Sequence, residues 1–310
     1  MEGRLGRLLR QAPEVAGHRL TPALRTLTVK RGSVRLAART FGRRGPHVVM
    51  IHGLASSQHI WDLVVPLLET RFRVTTFDQR GHGESSKPST GYDFTTMCAD
   101  LRGVIRAAKA SRPILVGHSF GANVALEYAV RHPREVAGVV CVDGGMGSMS
   151  EMMSWKDARV VLAPPKFDAL PLDELLSYAR EGSLKLVWSP AIERIVGSLF
   201  ETDARGRARP RLARANHMRI LRSMYAQKPK ELLARIACPT LMLCARPRAH
   251  AMADESGFYE LKKASVATIR AAKNPNVKIE WITSIHDIPL DRPADLAKRI
   301  GLFLRDEART

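Results

Sequence analysis

Residues 113–122 read PILVGHSFGA. An apolar run, Ile114 to Val116, enters Gly117-His118-Ser119-Phe120-Gly121, and a stretch with helical periodicity, ANVALEYAVRHP, leaves it. A buried strand that turns straight into a helix needs a sharp reversal of the chain. Glycines two residues to either side of Ser119 remove the side chains that would collide there, in a G-x-S-x-G pattern between strand and helix. Such a turn lifts the serine hydroxyl above the end of the sheet. It also places it over a helix N-terminus, which favours developing negative charge.

Working outward, strand and helix patterns alternate. RTLTVKRG and SVRLAARTFG predict a hairpin turning at Arg31-Gly32. HVVMIHG is an uninterrupted apolar run of the kind that fills a parallel strand covered on both faces. HIWDLVVPLLETR has helical spacing, with Pro66 expected to kink or interrupt it. FTTMCADLRGVIRAAKA predicts a helix, and VAGVVCVDGG a strand closed by two glycines. This βαβαβ order implies a mostly parallel sheet with helices on both faces. From Met146 to Lys228 the pattern becomes helical or irregular, with a basic hairpin expected around Gly206. The strand signal then returns at PTLMLCA, followed by a helix, the strand VKIEWIT and a last helix. The expected organisation is an N-terminal basic arm (1–25), a core domain formed by 26–145 and 229–310, and a mainly helical cap (146–228), too long to be a plain loop.

Composition narrows the class. The 310-residue chain is 45 % hydrophobic and 25 % charged, as expected for a soluble globular protein. No apolar run approaches the ~20 residues that span a bilayer. The N-terminal segment lacks the apolar centre of a secretory signal; an Arg-rich targeting peptide and a docked or solvated arm are both open. The formal charge of +19 admits nucleic acid, an anionic membrane or acidic substrates. The densest arginine run, Arg205 to Arg222, has no aromatic residue for stacking on a base, so neither nucleic acid nor membrane is expected as a partner. Cys98, Cys141, Cys238 and Cys244 form no C-x-x-C pair, which argues for buried free thiols in a cytoplasmic protein and against a metal or redox motif.

Four segments together resemble the α/β-hydrolase family: the Gly117–Gly121 elbow; HVVMIHG with the helix after it; FDQRGHGESS, close to a D-x-R-G-x-G-x-S loop; and SIHDIPLDRP near the C-terminus. The resemblance covers roughly residues 26–144 and 229–308 and implies roles residue by residue. Ser119 is the nucleophile, which needs an adjacent base. His286 is that base. The backbone N–H groups of Leu54 and Phe120 form the oxyanion hole. His52, His82 and His118 lie in the motif loops, either holding backbone or touching substrate. Many members carry an acidic residue in a G-x-x-D segment after the strand matching PTLMLCA. Here that segment is Ala245-Arg246-Pro247-Arg248, and an arginine cannot orient an imidazolium. Two sources of the acid remain open: Asp143, at the end of the preceding strand and in the family's Ser–acid–His order, or Asp254 or Glu255. Asp143→Asn is expected to cost activity but little stability, being nearly isosteric. Asp287 is expected to point away from the ring. Met146, Met149, Met152, Met153, Trp155 and Trp188 are candidates to line an apolar substrate cavity, or are the cap's own core.

The implied activity is cleavage of an ester or related acyl bond of a small, apolar molecule, with no cofactor and no metal. A carbon–carbon bond hydrolase or lactonase would use the same groups. A non-catalytic binding protein is the reading that Arg248 keeps open. Epoxide hydrolysis and dehalogenation are disfavoured, because the resemblance gives those a carboxylate nucleophile where this chain has Ser119.

Overall fold

The computed structural model describes residues 25–165, 170–248 and 252–307, without the side chains of 252–258 and 306–307. The expected N-terminal arm lies outside these residues except for Arg25. Strands β1 (Arg25–Arg31) and β2 (Val34–Phe41) form the predicted antiparallel hairpin, with Arg31 opposite Val34. Then follow β3 (His47–Ile51), a 3-10 turn (Gln58–Trp61), α1 (Val65–Leu68), β4 (Arg73–Phe77), α2 (Phe94–Ala107), β5 (Ile114–His118), α3 (Phe120–Arg131) and β6 (Gly138–Val142). Between β6 and β9 lie α4 (Met149–Met152), α5 (Trp155–Val161), α6 (Leu172–Glu181), α7 (Pro190–Gly197), the hairpin β7 (Phe200–Thr202) and β8 (Ala208–Pro210), α8 (Arg214–Ala226) and α9 (Pro229–Arg235). The chain closes with β9 (Thr240–Arg246), α10 (Met252–Ala271), β10 (Val277–Thr283), α11 (Ile288–Asp291) and α12 (Pro293–Glu307).

Among the described residues the main sheet has eight strands in the order β1-β2-β4-β3-β5-β6-β9-β10. From β4 to β10 along this order every pairing is parallel, and β2 alone runs against the rest, antiparallel to both β1 and β4. The alternation of side chains in β3, β5 and β9 explains why these strands read as continuous apolar runs. Val49, Ile51, Leu115, Met242 and Cys244 pack on one face with residues of α2, α3, α9 and α10. Val48, Met50, Ile114, Val116, Leu241 and Leu243 pack on the other with α1, α7, α11 and α12. Fully burying one such Val, Leu or Ile is worth about 1.5–3 kcal/mol, so both faces hold the sheet in register.

The helix expected around Pro66 is interrupted. Residues 59–71 give a 3-10 turn and then the four-residue α1, in which Pro66 stands in the first turn. A proline there loses no intrahelical hydrogen bond, so it starts the helix rather than kinking a longer one. Because β3, β5, β6, β9 and β10 are parallel, their C-terminal ends share one edge of the sheet. Gly53, Ser119, Asp143, Arg248 and His286 all follow those ends, and this places the site. Among the described residues no helix is long and apolar enough to cross a membrane. The four cysteines are free and buried; burial pushes the thiols of Cys98 and Cys244 up to about 12, so they stay protonated.

Candidate active site

Ser119 stands between β5 and α3 with φ 52° and ψ −121°. A non-glycine residue in such a region stores roughly 1–3 kcal/mol of strain. The neighbouring glycines show why it is tolerated. A Cβ on Gly117 would run into the carbonyl oxygen of Gly121, and a Cβ on Gly121 into that of Ile51. The elbow is tied down by the Ser119 N–H donating to the Val142 carbonyl at 2.9 Å. Gly53, after β3, lies so close that a Cβ on it would be 3.2 Å from that of Ser119, and Leu54 is the next residue along the chain. Phe120 opens α3, so its N–H has no intrahelical acceptor.

A chain of hydrogen bonds runs from the hydroxyl. The Ser119 Oγ is 3.0 Å from His286 Nε2, and His286 Nδ1 is 2.7 Å from Asp143 Oδ2. A carboxylate only accepts, so Nδ1–H is the donor to it, and Nε2 is left to accept from the serine. Burial disfavours a charged imidazole, but the Asp143 hydrogen bond and charge outweigh it, with Asp287 adding to them, and the His286 pKa is raised. The Asp143 side chain is fully buried. Desolvation favours its neutral form, yet His286 and then Lys262 overcome this and hold its pKa below the ordinary carboxylate value. Asp143 also accepts from the Ala245 N–H at 2.7 Å and from Lys262 Nζ at 2.7 and 2.9 Å. The alternative acids, Asp254 and Glu255, have side chains outside the described residues. Arg248, in the position where an acid was sought, bonds Asp291 Oδ1 at 2.6 Å. The other oxygen of Asp291 accepts from Ser284 Oγ and the Ile285 N–H, which braces the loop carrying His286.

Beside Ser119 lies a cavity of about 330 Å³. Its walls include His286, Lys262, Met146, Met149, Met152, Met153, Leu162 and Met224. Met146 and Met149 thus stand where the sequence analysis put them, at the cavity wall. Trp155 and Trp188 do not. The Trp155 ring lies under Arg222, at 4.7 Å, and against Tyr225. Trp188 packs with the cluster on the far face of the sheet. His52 and His118 are also corrected as pocket candidates, because both are buried and bonded to backbone. His52 donates from Nδ1 to the Gly53 carbonyl and accepts at Nε2 from the Gln79 N–H. His118 donates from Nε2 to the His286 carbonyl at 3.1 Å; burial and then the nearby His286 lower its pKa to about 4, so it is neutral and ties the elbow to the histidine loop. A polar cleft of about 530 Å³ lined by Lys278, Glu280 and Arg299 lies toward the opposite ends of β9 and β10, and its lining includes no Ser, Cys or His.

The FDQRGHGESS loop has a structural logic of its own. Asp78 accepts from the N–H groups of Gln58 and Glu84, and a Cβ on Gly83 would strike its carboxylate. Arg80 grips Asp100 through two hydrogen bonds, of 2.6 and 2.9 Å. Ser85 Oγ donates to the Asp78 carbonyl and accepts from the Ala37 N–H. These bonds tie the loop to β2, α2 and the 3-10 turn.

The family model for the alpha/beta hydrolase fold matches residues 46–171, from β3 through the elbow into the segment after β6. The fold is that of the alpha/beta hydrolases. The 2-(acetamidomethylene)succinate hydrolase of Mesorhizobium japonicum is 36 % identical over 129 residues, 42 % of this chain and 46 % of that protein. The chain thus spans about half the length of the curated relatives it matches. The crystal structure of an E-2-(acetamidomethylene)succinate hydrolase superposes with a TM-score of 0.73 at 23 % identity, covering 91 % of this chain and 98 % of that one. A thioesterase domain from the curacin biosynthetic pathway superposes at 0.69 with 20 % identity, covering 90 % and 100 %. At these identities the superpositions speak for the fold.

Lys262 was not anticipated. Helical spacing held the signal: Lys262, Val266 and Ile269 fall at i, i+4 and i+7, and all three are buried. A lysine on the apolar stripe of a helix calls for a buried carboxylate, and Asp143 is that carboxylate.

Proposed function

We propose that this α/β hydrolase is a serine hydrolase that cleaves an ester or related acyl bond of a small, apolar substrate through an acyl-enzyme. The observation that carries the reading is the unbroken relay from Ser119 Oγ through His286 to Asp143, on a strained elbow at the edge of an apolar cavity. Relatives named as hydrolases support the hydrolase reading, and the choice of an acyl bond rests on the serine nucleophile.

In this reading Ser119 Oγ attacks the substrate carbonyl carbon as its proton passes to His286 Nε2. The carbonyl π electrons move to oxygen, and the oxyanion is met by the N–H groups of Phe120 and Leu54. Collapse of the tetrahedral species breaks the bond to the leaving group, which takes the proton from His286. Water then repeats the sequence on the acyl-enzyme, with His286 accepting its proton and Ser119 recovering one. Asp143 holds the imidazole in the needed tautomer and stabilises the imidazolium. The methionine-rich wall suits an apolar group of irregular shape.

The test is covalent labelling by a fluorophosphonate, with turnover of p-nitrophenyl esters of increasing acyl length. Wild type should label, and Ser119→Ala should lose both labelling and turnover while its thermal melt stays cooperative. Comparable esterase activity in folded Ser119→Ala would remove the serine from the mechanism. An unlabelled wild type would favour a binding protein on this fold.

A further inference from the structure

The mechanism above leaves one buried charge at the site unused. Lys262 of α10 is 9 % exposed. Its ammonium donates to both oxygens of Asp143, at 2.7 and 2.9 Å, and to the Ala245 carbonyl at 3.0 Å. Desolvating an ammonium costs several kcal/mol, and a methionine on this stripe would pack without that cost. The lysine also forms part of the cavity wall next to Ser119 and His286.

We propose that Lys262 is a positioning residue for the Ser119–His286–Asp143 relay: its ammonium fixes the rotation of the Asp143 carboxylate and offsets part of that carboxylate's charge, so that His286 stays available as a base to lower pH than an isolated Asp–His pair would allow. The inference rests on the serine-hydrolase reading. The geometry separates the two jobs of the carboxylate. Oδ2 takes the imidazole N–H, Oδ1 takes the Ala245 N–H, and the ammonium spans both oxygens. With the rotation fixed, Oδ2 is presented to Nδ1 before substrate arrives, which is the preorganisation that a relay needs.

The sign of the charge effect follows from what faces each group. Around His286 stand Asp143 from β6, Asp287 from its own loop, Lys262 from α10 and neutral His118 from β5; Ser119 is uncharged. The two carboxylates favour the imidazolium and the ammonium opposes it. Among the described residues, around Asp143 stand His286, Lys262 and, from β9, the protonated Cys244 thiol. Removing the ammonium therefore leaves the imidazolium with less opposition, and the base is lost at higher pH.

The readout is the rate of fluorophosphonate labelling across about pH 5–9, which needs no identified substrate. Wild type is labelled first, with Ser119→Ala as the blank; failure at this stage brings down the serine-hydrolase reading itself. Given a labelled wild type, Lys262→Met should move the acid limb to higher pH, so that its deficit relative to wild type is several-fold larger near pH 6 than near pH 9. Lys262→Arg, which restores a cation, should bring the limb back toward wild type. Should Lys262→Met not fold, Lys262→Gln takes its place, keeping amide donors without the charge. An acid limb that superimposes on wild type in the neutral variant overturns the proposal, whatever happens to the melting temperature. So does a limb that Lys262→Arg leaves as displaced as the neutral variant does.

Discussion

Replacing Asp143 by Asn tests more than catalysis. The carboxylate is fully buried and takes four hydrogen bonds: from His286 Nδ1, the Ala245 N–H and twice from Lys262. An asparagine keeps the shape but has one oxygen and one NH₂. If the NH₂ faces His286, Nδ1 must become the acceptor, the proton moves to Nε2, and the ring can no longer accept from Ser119. If the oxygen faces His286, the NH₂ meets the Ala245 N–H or the ammonium, donor against donor. Loss of this carboxylate in a well-characterised serine protease triad lowers kcat by roughly 10⁴, or about 5 kcal/mol of barrier. The same order is expected here.

Stability falls as well, which revises the expectation that a near-isosteric change is silent. The substitution removes the Asp143 charge from beside the buried Lys262 ammonium, and breaking a buried pair by removing one partner costs about 3–5 kcal/mol. Because the asparagine oxygen can still accept one hydrogen bond from Lys262, the lower part of that range is expected. The double variant Asp143→Asn/Lys262→Met removes both charges and should recover much of the stability but none of the activity, a coupling that a double-mutant cycle isolates. The assay is kcat on one activated ester, alongside urea denaturation of wild type, both single variants and the double variant. A kcat for Asp143→Asn within about tenfold of wild type would refute the role given to the carboxylate. Equal stability of Asp143→Asn and wild type would refute the pairing argument.

Two further outcomes are expected. In the proposed mechanism the base is neutral His286, whose pKa is raised above 6.5 by Asp143 against the opposing effect of burial, so kcat/KM should fall as pH drops through a midpoint above 6.5; a midpoint at or below that value in the pH–rate profile would mean Asp143 does not govern the ring. Gly121→Ala places a methyl against the Ile51 carbonyl oxygen, and thermal or urea melts should show a loss of about 1–3 kcal/mol or more, since backbone on β3 has little room to give; an unchanged melt would contradict the packing of the elbow.

The legible parts of the sequence were those where local chemistry and long-range geometry coincide. Continuous apolar runs such as HVVMIHG announced covered parallel strands because both faces of the sheet are buried. Ser119 and His286 were readable because each sits in a motif whose backbone has few alternatives: an elbow that only glycines permit, and a loop directly after a strand. What was not legible depends on contacts between distant elements. Nothing local reveals that His52 and His118 bond to backbone rather than face a cavity, since a histidine in a motif loop can do either. Trp155 and Trp188 had the right composition for a pocket, but the direction of a side chain on a short helix or loop follows from packing, here under Arg222 for Trp155. Lys262 was readable in principle, as a cation on an apolar stripe, but its partner lies 119 residues away.

The arginine at position 248 shows how the acid can change strand without the site losing its form. Strands β6 and β9 are parallel neighbours, paired from Val139–Thr240 to Val142–Leu243. The residue after β6 is held to the end of β9 by the Asp143 N–H donating to the Leu243 carbonyl at 2.8 Å. A carboxylate leaving either strand therefore starts from the same edge, within a side chain's reach of the loop after β10. With Asp143 at the ring, position 248 no longer has to supply a negative charge beside His286. A second carboxylate there would add like-charge repulsion next to a buried anion. A cation serves a different end: Arg248 binds Asp291, and Asp291 in turn receives Ser284 Oγ and the Ile285 N–H, immediately before His286. The histidine loop is thus held from beneath by one ion pair, Arg248–Asp291, while the ring is oriented by a second network, Lys262–Asp143–His286. The departure from the acid position common in the family this sequence resembles fits, in three dimensions, a site in which the carboxylate at His286 and the anchor of its loop follow different strands.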